Sequence, residues 1–412
     1  VGKALVSLVE GSVEYNKISH NFLLLEEPEK RTSCERLQAL GCQIAICPEY
    51  DLAVELIKKA DIVQLEWWNH PATFQFLCTH DFPPMRLLVW CHQSGLFPPL
   101  IPYGFIDYSH RLVFTSRCSL EIPYLSTIDP SIREKIAVVS SGVGLSKQPE
   151  RTENTTHSLN ACYIGTFNFS KLHPDYVEFL DAVPLPGFSI TMVGDDINRE
   201  ILLNQCRYKH KPHLLNFTGY IPNISSVLAS SHIFPYLLNP IHYGTAENAL
   251  LEAMSAGVVP IVLNNPCEMA IVDHMNTGLI IEDIKGFASA VQWLSDNPAE
   301  LFRISKNASE YVKSSYSKQK MAYDMFSQYI HIVEVKKSII DFRNFLGLSP
   351  LEWFLSCQRK PSEVVSHMEK RFAEYAKKET TKGSINHFMN YFPDDLELIK
   401  YSKRFHGGFK LI

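Results

Sequence analysis

The 412-residue sequence has no C-x-x-C pair, although it contains ten cysteines. That spacing argues against a zinc site. The scatter from Cys34 to Cys357 fits reduced, mostly buried thiols of a cytoplasmic protein, not a disulfide framework. No run of Lys and Arg is interleaved with aromatics, and a formal net charge of -5 argues against nucleic acid as a partner. No apolar stretch approaches the roughly 18 to 20 residues that span a bilayer, so any membrane contact is expected to be peripheral, at the inner face. Internal repeats and low-complexity tracts are also missing. What remains is an ordinary globular composition, 46% hydrophobic and 20% charged, in a length that suggests two or three domains.

Apolar runs of strand length alternate with helical patterns along the chain. After a helix from about residue 4, strands are expected at 22–25, 42–46, 61–66, 86–92, 111–116 and 136–144, with helices at 34–40 and 51–59. A second series places strands at 161–165, 188–194, 215–222, 231–236, 258–263 and 271–281, then helices at 284–296, 298–314 and 318–336, with helical pattern again over 338–378. The polar stretch 147–158 reads as a linker, giving expected domains at 1–150 and 158–337 and a helical tail at 338–412. Such alternation favours parallel sheets covered on both faces, whose ligands bind outside the carboxyl ends of the strands. His92 ends one apolar strand, the run Trp67, Trp68, Asn69 and His70 ends another, Gly165 ends a third, and Lys171 follows it shortly. Each has a structural alternative: core packing for the tryptophans, a packed histidine, a surface lysine. The segment from Gly95 to Pro102 is apolar and too rich in proline to be helical; a packed loop is the first expectation, a lid or a surface for a lipid-linked acceptor the alternatives. A Rossmann-like half ordinarily opens with a strand and a Gly-rich turn, so a first strand is expected to be missing here, with Gly2 as the remnant of that turn.

Residues 244–263 are the most informative stretch. Thr245 suits an N-cap, the following residues are good helix formers, and Gly257 suits a left-handed stop. Thr245, Asn248, Glu252 and Ser255 recur at spacings of three and four and so share one polar face. A helix N-terminus preceded by Gly244 offers free backbone N–H groups to a phosphate, and Glu252, about two turns in, can accept a hydrogen bond from a sugar hydroxyl. The alternative is an amphipathic helix with a solvated glutamate.

The run Leu250, Leu251, Glu252, Ala253, Met254, then Gly257 and Pro260-Ile261-Val262, resembles the donor-site helix of the retaining glycosyltransferases of family 4 (group 1). Flanking segments follow that family's order over roughly residues 1–335. The resemblance implies an α/β GT-B fold, two Rossmann-like domains facing across a cleft. It also implies transfer of a sugar from a nucleotide-diphosphate donor to a saccharide or lipid-linked acceptor, with retention of configuration and with neither metal nor cofactor. It gives Glu252 the ribose, Lys171 the diphosphate, Tyr220 the neighbourhood of the base and His92 a catalytic position on the facing wall. Gly2, Gly165, Gly244, Thr245 and Asn248 complete the expected donor site. Two positions depart from the family: Gly244 stands where relatives have a sugar-binding Glu, and Thr166 where they have a phosphate-binding Arg. Losing one charged hydrogen bond costs about 1.5 to 3 kcal/mol. The competing expectation is a non-catalytic nucleotide-sugar-binding or scaffolding protein that keeps the fold.

Overall fold

Continuous apolar runs bounded by turn residues become parallel strands, because strands covered by helices on both faces need no polar side. A computed structural model describes residues 2–13, 18–142, 159–245, 248–359 and 367–407; the expected linker at 147–158 lies outside the described residues, as do residues 246–247. In the first half, β1 (Asn21–Leu24) and β2 (Gln43–Ile46) form a two-stranded parallel sheet. Four further strands, β3 (Val63–Trp67), β4 (Leu87–Cys91), β5 (Arg111–Phe114) and β6 (Ile136–Val138), make a parallel sheet in chain order. All five residues of β4 are buried, as its unbroken apolar sequence requires.

The second half contains β7 (Ala161–Gly165), β8 (Ile190–Gly194), β9 (Leu215–Gly219), β10 (Ile233–Tyr236), β11 (Val259–Leu263) and β12 (Leu279–Ile281). They are all parallel, in the order β12-β11-β10-β7-β8-β9. Counted within this half, that is the Rossmann order, with β7 beside β10 at the topological switch point. The chain is thus an α/β protein of the GT-B fold, and a ligand crevice belongs outside the carboxyl ends of β7 and β10.

Four apolar clusters hold this frame, the smallest of them Val6, Val9 and Leu37 between the first helix and helix Thr32–Ala39. One fills the second half around Tyr163, Phe167, Tyr236, Leu250 and Ile261. Another lies on one face of the first sheet, with Trp67, Phe74, Phe105 and Phe114, and takes in Phe342, Trp353, Phe354, Phe388 and Leu398 from beyond residue 338. The opposite face is covered by helices Gly2–Ser12 and Lys318–Val333, whose Leu8, Met321 and Met325 meet Leu88, Trp90 and Val113. The long amphipathic helix expected at 318–336 therefore does return to the first half. The helical pattern expected over 338–378 is broken: Ser338 makes an antiparallel bridge with Met85, and among the described residues the short helices Arg343–Leu346 and Pro350–Ser356 precede helix His367–Lys377. Gly347, at φ +100°, ends the first of these, and Pro350 starts the second. The Gly95 to Pro102 segment is a packed loop, with Leu100 and Ile101 buried. Among the described residues no helix is long and apolar enough to cross a membrane.

Gly2 departs from expectation. It is the first residue of helix Gly2–Ser12, not part of a turn, and a Cβ there would lie 2.8 Å from Ser33 Oγ. Its lack of a side chain serves packing against helix Thr32–Ala39.

Gly11 is packed more tightly, since an added Cβ would come 2.2 Å from the Lys318 carbonyl oxygen. A backbone atom cannot rotate away, so Gly11→Val is expected to destabilise the chain by about 1 to 3 kcal/mol. Denaturant unfolding checks this, and an unchanged midpoint would mean that the two helices do not touch at Gly11.

Candidate functional site

Parallel strands deliver all their carboxyl ends to one side, and three consecutive ends of the first sheet meet one segment of the second half. After β4, the Ser94 N–H donates to the Tyr243 carbonyl at 3.0 Å. After β5, the Thr115 hydroxyl donates to the Thr245 hydroxyl at 2.7 Å, and Thr245 reaches the His92 carbonyl at 3.4 Å. After β6, the Ser141 hydroxyl donates to Asn248 Oδ1 at 3.0 Å. Asn248 is the first residue of helix Asn248–Ser255, which ends as expected before Gly257 at φ +71°.

Gly244 is fixed from both sides. Its N–H donates to His242 Nδ1 at 3.1 Å, and its carbonyl accepts from Cys267 Sγ at 2.8 Å. With Nδ1 accepting, the His242 proton sits on Nε2, which faces the Glu268 carboxylate at 3.0 Å in a buried pair. Glu252, a turn beyond Asn248, meets Lys3 Nζ at 3.3 Å; the carboxylate side chain is 22% exposed and the lysine 82%. So exposed a cation holds its partner weakly. A sugar hydroxyl can displace it.

On the facing wall, His92 Nε2 lies 2.6 Å from Glu66 Oε2, with the ring between Trp90 and Trp68. The expected aromatic cluster divides here. Trp67 is core, whereas Trp68 is half-buried and carries Lys382 Nζ 4.7 Å over its ring.

At the switch point, the loop after β7 is held by carboxylates. The Phe167 N–H donates to Asp195 Oδ1 at 3.1 Å, and the Phe169 N–H to Glu379 Oε1 at 2.9 Å. Asn198 Nδ2 adds a bond to Glu379 at 2.7 Å. Burial raises the Glu379 pKa against the pull of these donors. Thr166, in the place of the family's arginine, accepts from the Asn168 N–H at 3.3 Å. Lys171 lies at the same crevice, its Nζ 5.9 Å from the Tyr236 ring at the end of β10. Gly165 ends β7 and pairs with Gly194 of β8, where a Cβ on Gly194 would lie 1.9 Å from the Gly165 carbonyl oxygen.

The structure therefore brings Gly244, Thr245, Asn248 and the His92 backbone together. It sets Gly165 and Lys171 at the switch point beside them. Tyr220 follows the edge strand β9, is 69% exposed, and has Lys30 of the first half 4.2 Å over its ring. Gly2 begins the helix whose next residue, Lys3, meets Glu252. Thr115 and Ser141 escaped the sequence reading, although Thr115 carries the signal that identified His92, a polar residue directly after an apolar strand, and Ser141 follows its strand by three residues. Lys3 and Glu379 carry no local signal. Among the described residues no group of three or more His, Cys, Asp or Glu is arranged to hold a metal.

The comparisons agree with this geometry. Residues 161–297 match the family described as glycosyl transferases group 1. A glycogen synthase of Mycobacterium tuberculosis is 24% identical over 216 residues, 51% of this chain and 51% of its own, so the chain spans about half the length of the curated relatives it matches. A glycosyltransferase from Rickettsia africae superposes with a TM-score of 0.60 at 14% identity, covering 81% of this chain and 95% of its own. An Anabaena protein, HepE, in complex with UDP and glucose, gives 0.63 at 12% identity over 80% and 96%. Over residues 161–297 the chain is thus similar to the glycosyl transferases group 1 family, and it has the GT-B fold.

Proposed function

We propose that this chain transfers a sugar from a nucleotide-diphosphate donor to a glycan or glycolipid acceptor, with retention of configuration and without a metal. The observation that carries the proposal is the convergence of three strand ends of the first sheet on the entry of helix Asn248–Ser255, directly beside a Rossmann-type switch point. Support comes from the family match over the donor half and from the printed relatives, a glycogen synthase and a protein in complex with UDP and glucose. In this reading the donor lies in the β7 and β10 crevice. Lys171 and the N-terminus of helix Asn248–Ser255 stabilise the negative charge that develops on the departing diphosphate. Glu252 exchanges Lys3 for the ribose hydroxyls. The Glu66 and His92 pair stands on the acceptor side, where a hydroxyl must lose its proton as it attacks the sugar.

A second reading keeps nucleotide-sugar binding and drops transfer. It is favoured by one observation: the loop after β7 already spends the Phe167 and Phe169 N–H groups on Asp195 and Glu379, and Thr166 supplies no cation. Product analysis separates the two, since only the first yields acceptor-dependent release of free nucleotide.

Calorimetry with a panel of nucleotide sugars tests donor binding. Glu252→Ala and Lys171→Ala are each expected to weaken the bound donor by about 10- to 100-fold, the loss of one hydrogen bond to a charged group. Unchanged affinity in both variants would remove the donor from this crevice.

Lys3→Ala is expected to behave differently. An exposed ion pair is worth about 0 to 1 kcal/mol, so donor affinity changes by no more than about fivefold. A large loss would instead make Lys3 a donor contact.

A further inference from the structure

Cys118 and Cys267 are used by no step of the proposed transfer, yet they face each other across the two halves. Cys118 lies in the 3-10 turn Arg117–Glu121 after β5, and Cys267 in the short helix Pro266–Met269 after β11. They are separated by 149 positions in sequence, their sulfurs are 3.3 Å apart, and each residue is only 2% exposed. A disulfide bond measures about 2.05 Å, so from 3.3 Å the sulfurs need to close by only about 1.3 Å. Both residues sit on short turns that follow strands, not in the middle of rigid elements.

The local chemistry distinguishes Cys118 from the other interior thiols. The hydrogen bond with Cys267 lowers its pKa, burial opposes this, and the neighbouring Ser116, Ser119 and His242 lower it further. Burial pushes the Cys91 thiol, by contrast, up to about 12. The Cys267 proton has two acceptors, the Gly244 carbonyl at 2.8 Å and Cys118. It turns to Cys118 when that sulfur is the thiolate.

We propose that Cys118 and Cys267 form a reversible disulfide that fastens the two halves of the chain together on oxidation. The oxidant is a low-molecular-weight disulfide. While the halves are apart, the Cys118 thiolate attacks one of its sulfurs and expels a thiolate, which takes up a proton. When they come together again, Cys267 gives up its proton and attacks the Cys118 sulfur of the mixed disulfide, expelling the second thiolate. Two protein thiols are oxidised and one small disulfide is reduced to two thiols. The bond ties the turn after β5 to the short helix after β11, and the hydrogen bond from Cys267 to the Gly244 carbonyl is given up with the proton as the bond forms. The cross-link does not depend on the proposed transfer activity, and its test reads mass, not turnover.

The experiment incubates the full chain with oxidised glutathione, blocks free thiols with N-ethylmaleimide, and compares non-reducing electrophoresis with peptide mass mapping. The expected result is a faster-migrating species, lighter by two hydrogens, that yields a Cys118–Cys267 cross-linked peptide and reverts with dithiothreitol. Cys118→Ser and Cys267→Ser lose this species, while Cys47→Ser, at an exposed thiol, keeps it. Recovery of Cys118 and Cys267 only as alkylated or singly glutathionylated peptides would overturn the proposal. The wild-type peptide map decides the matter even where a serine variant fails to fold.

Discussion

The structure depends on the meeting of three parallel strand ends with a single short segment. Ser94, Thr115 and Ser141 follow β4, β5 and β6 in order, and they bind Tyr243, Thr245 and Asn248 in the same order. Only a parallel sheet can do this, because it places every carboxyl end on one side. A net intramolecular hydrogen bond contributes about 0.5 to 1.5 kcal/mol, so three of them amount to a few kcal/mol. That is enough to fix a register between the halves and small enough to be given up when a ligand enters.

Much of this was legible in the sequence. Periodicity placed the strands and most helices, and the helix motif with its glycine stop located the donor-side element. The strand-end rule found His92 but was not applied to Thr115 or Ser141, whose small hydroxyls look like ordinary strand terminators. Gly2 was misassigned because a glycine near a chain's start suggests a loop, whereas here it allows one helix to approach Ser33. Glu379 could not have been read at all. It acts on Phe169, 210 positions earlier, and nothing in its own neighbourhood marks that partner.

The segment beyond residue 338 shows a different limit. A parallel sheet must be covered on both faces. Helices Gly2–Ser12 and Lys318–Val333 cover one face of the first sheet, and the other needs apolar surface that the first 140 or so residues only partly provide. Phe342, Trp353, Phe354 and Phe388 supply it, packing with Trp67, Phe74 and Phe105. The pattern of these aromatics announced burial without saying against what. Helix His367–Lys377 meanwhile contacts the second half, with Phe372 against His173 and Arg371 against Asp175. The chain therefore passes between the halves more than once, and their relative motion must carry the tail with it.

This threading bears on the substitutions at the switch point. Where relatives meet a diphosphate with an arginine, this chain has Thr166, and the loop amides beside it face the carboxylates of Asp195 and Glu379. Two acids near an anion site oppose a phosphate unless their charge is reduced, and burial moves Glu379 in that direction by raising its pKa. Lys171 is then the cation in that loop, while the N-terminus of helix Asn248–Ser255 offers a dipole and not a full charge. In the proposed reading, recognition of a donor would lean less on paired cations and more on the alignment of backbone groups that Ser94, Thr115 and Ser141 hold from the opposite wall. A site built this way depends on the register between the halves, which ties it to the strand ends and, through Glu379, to the tail.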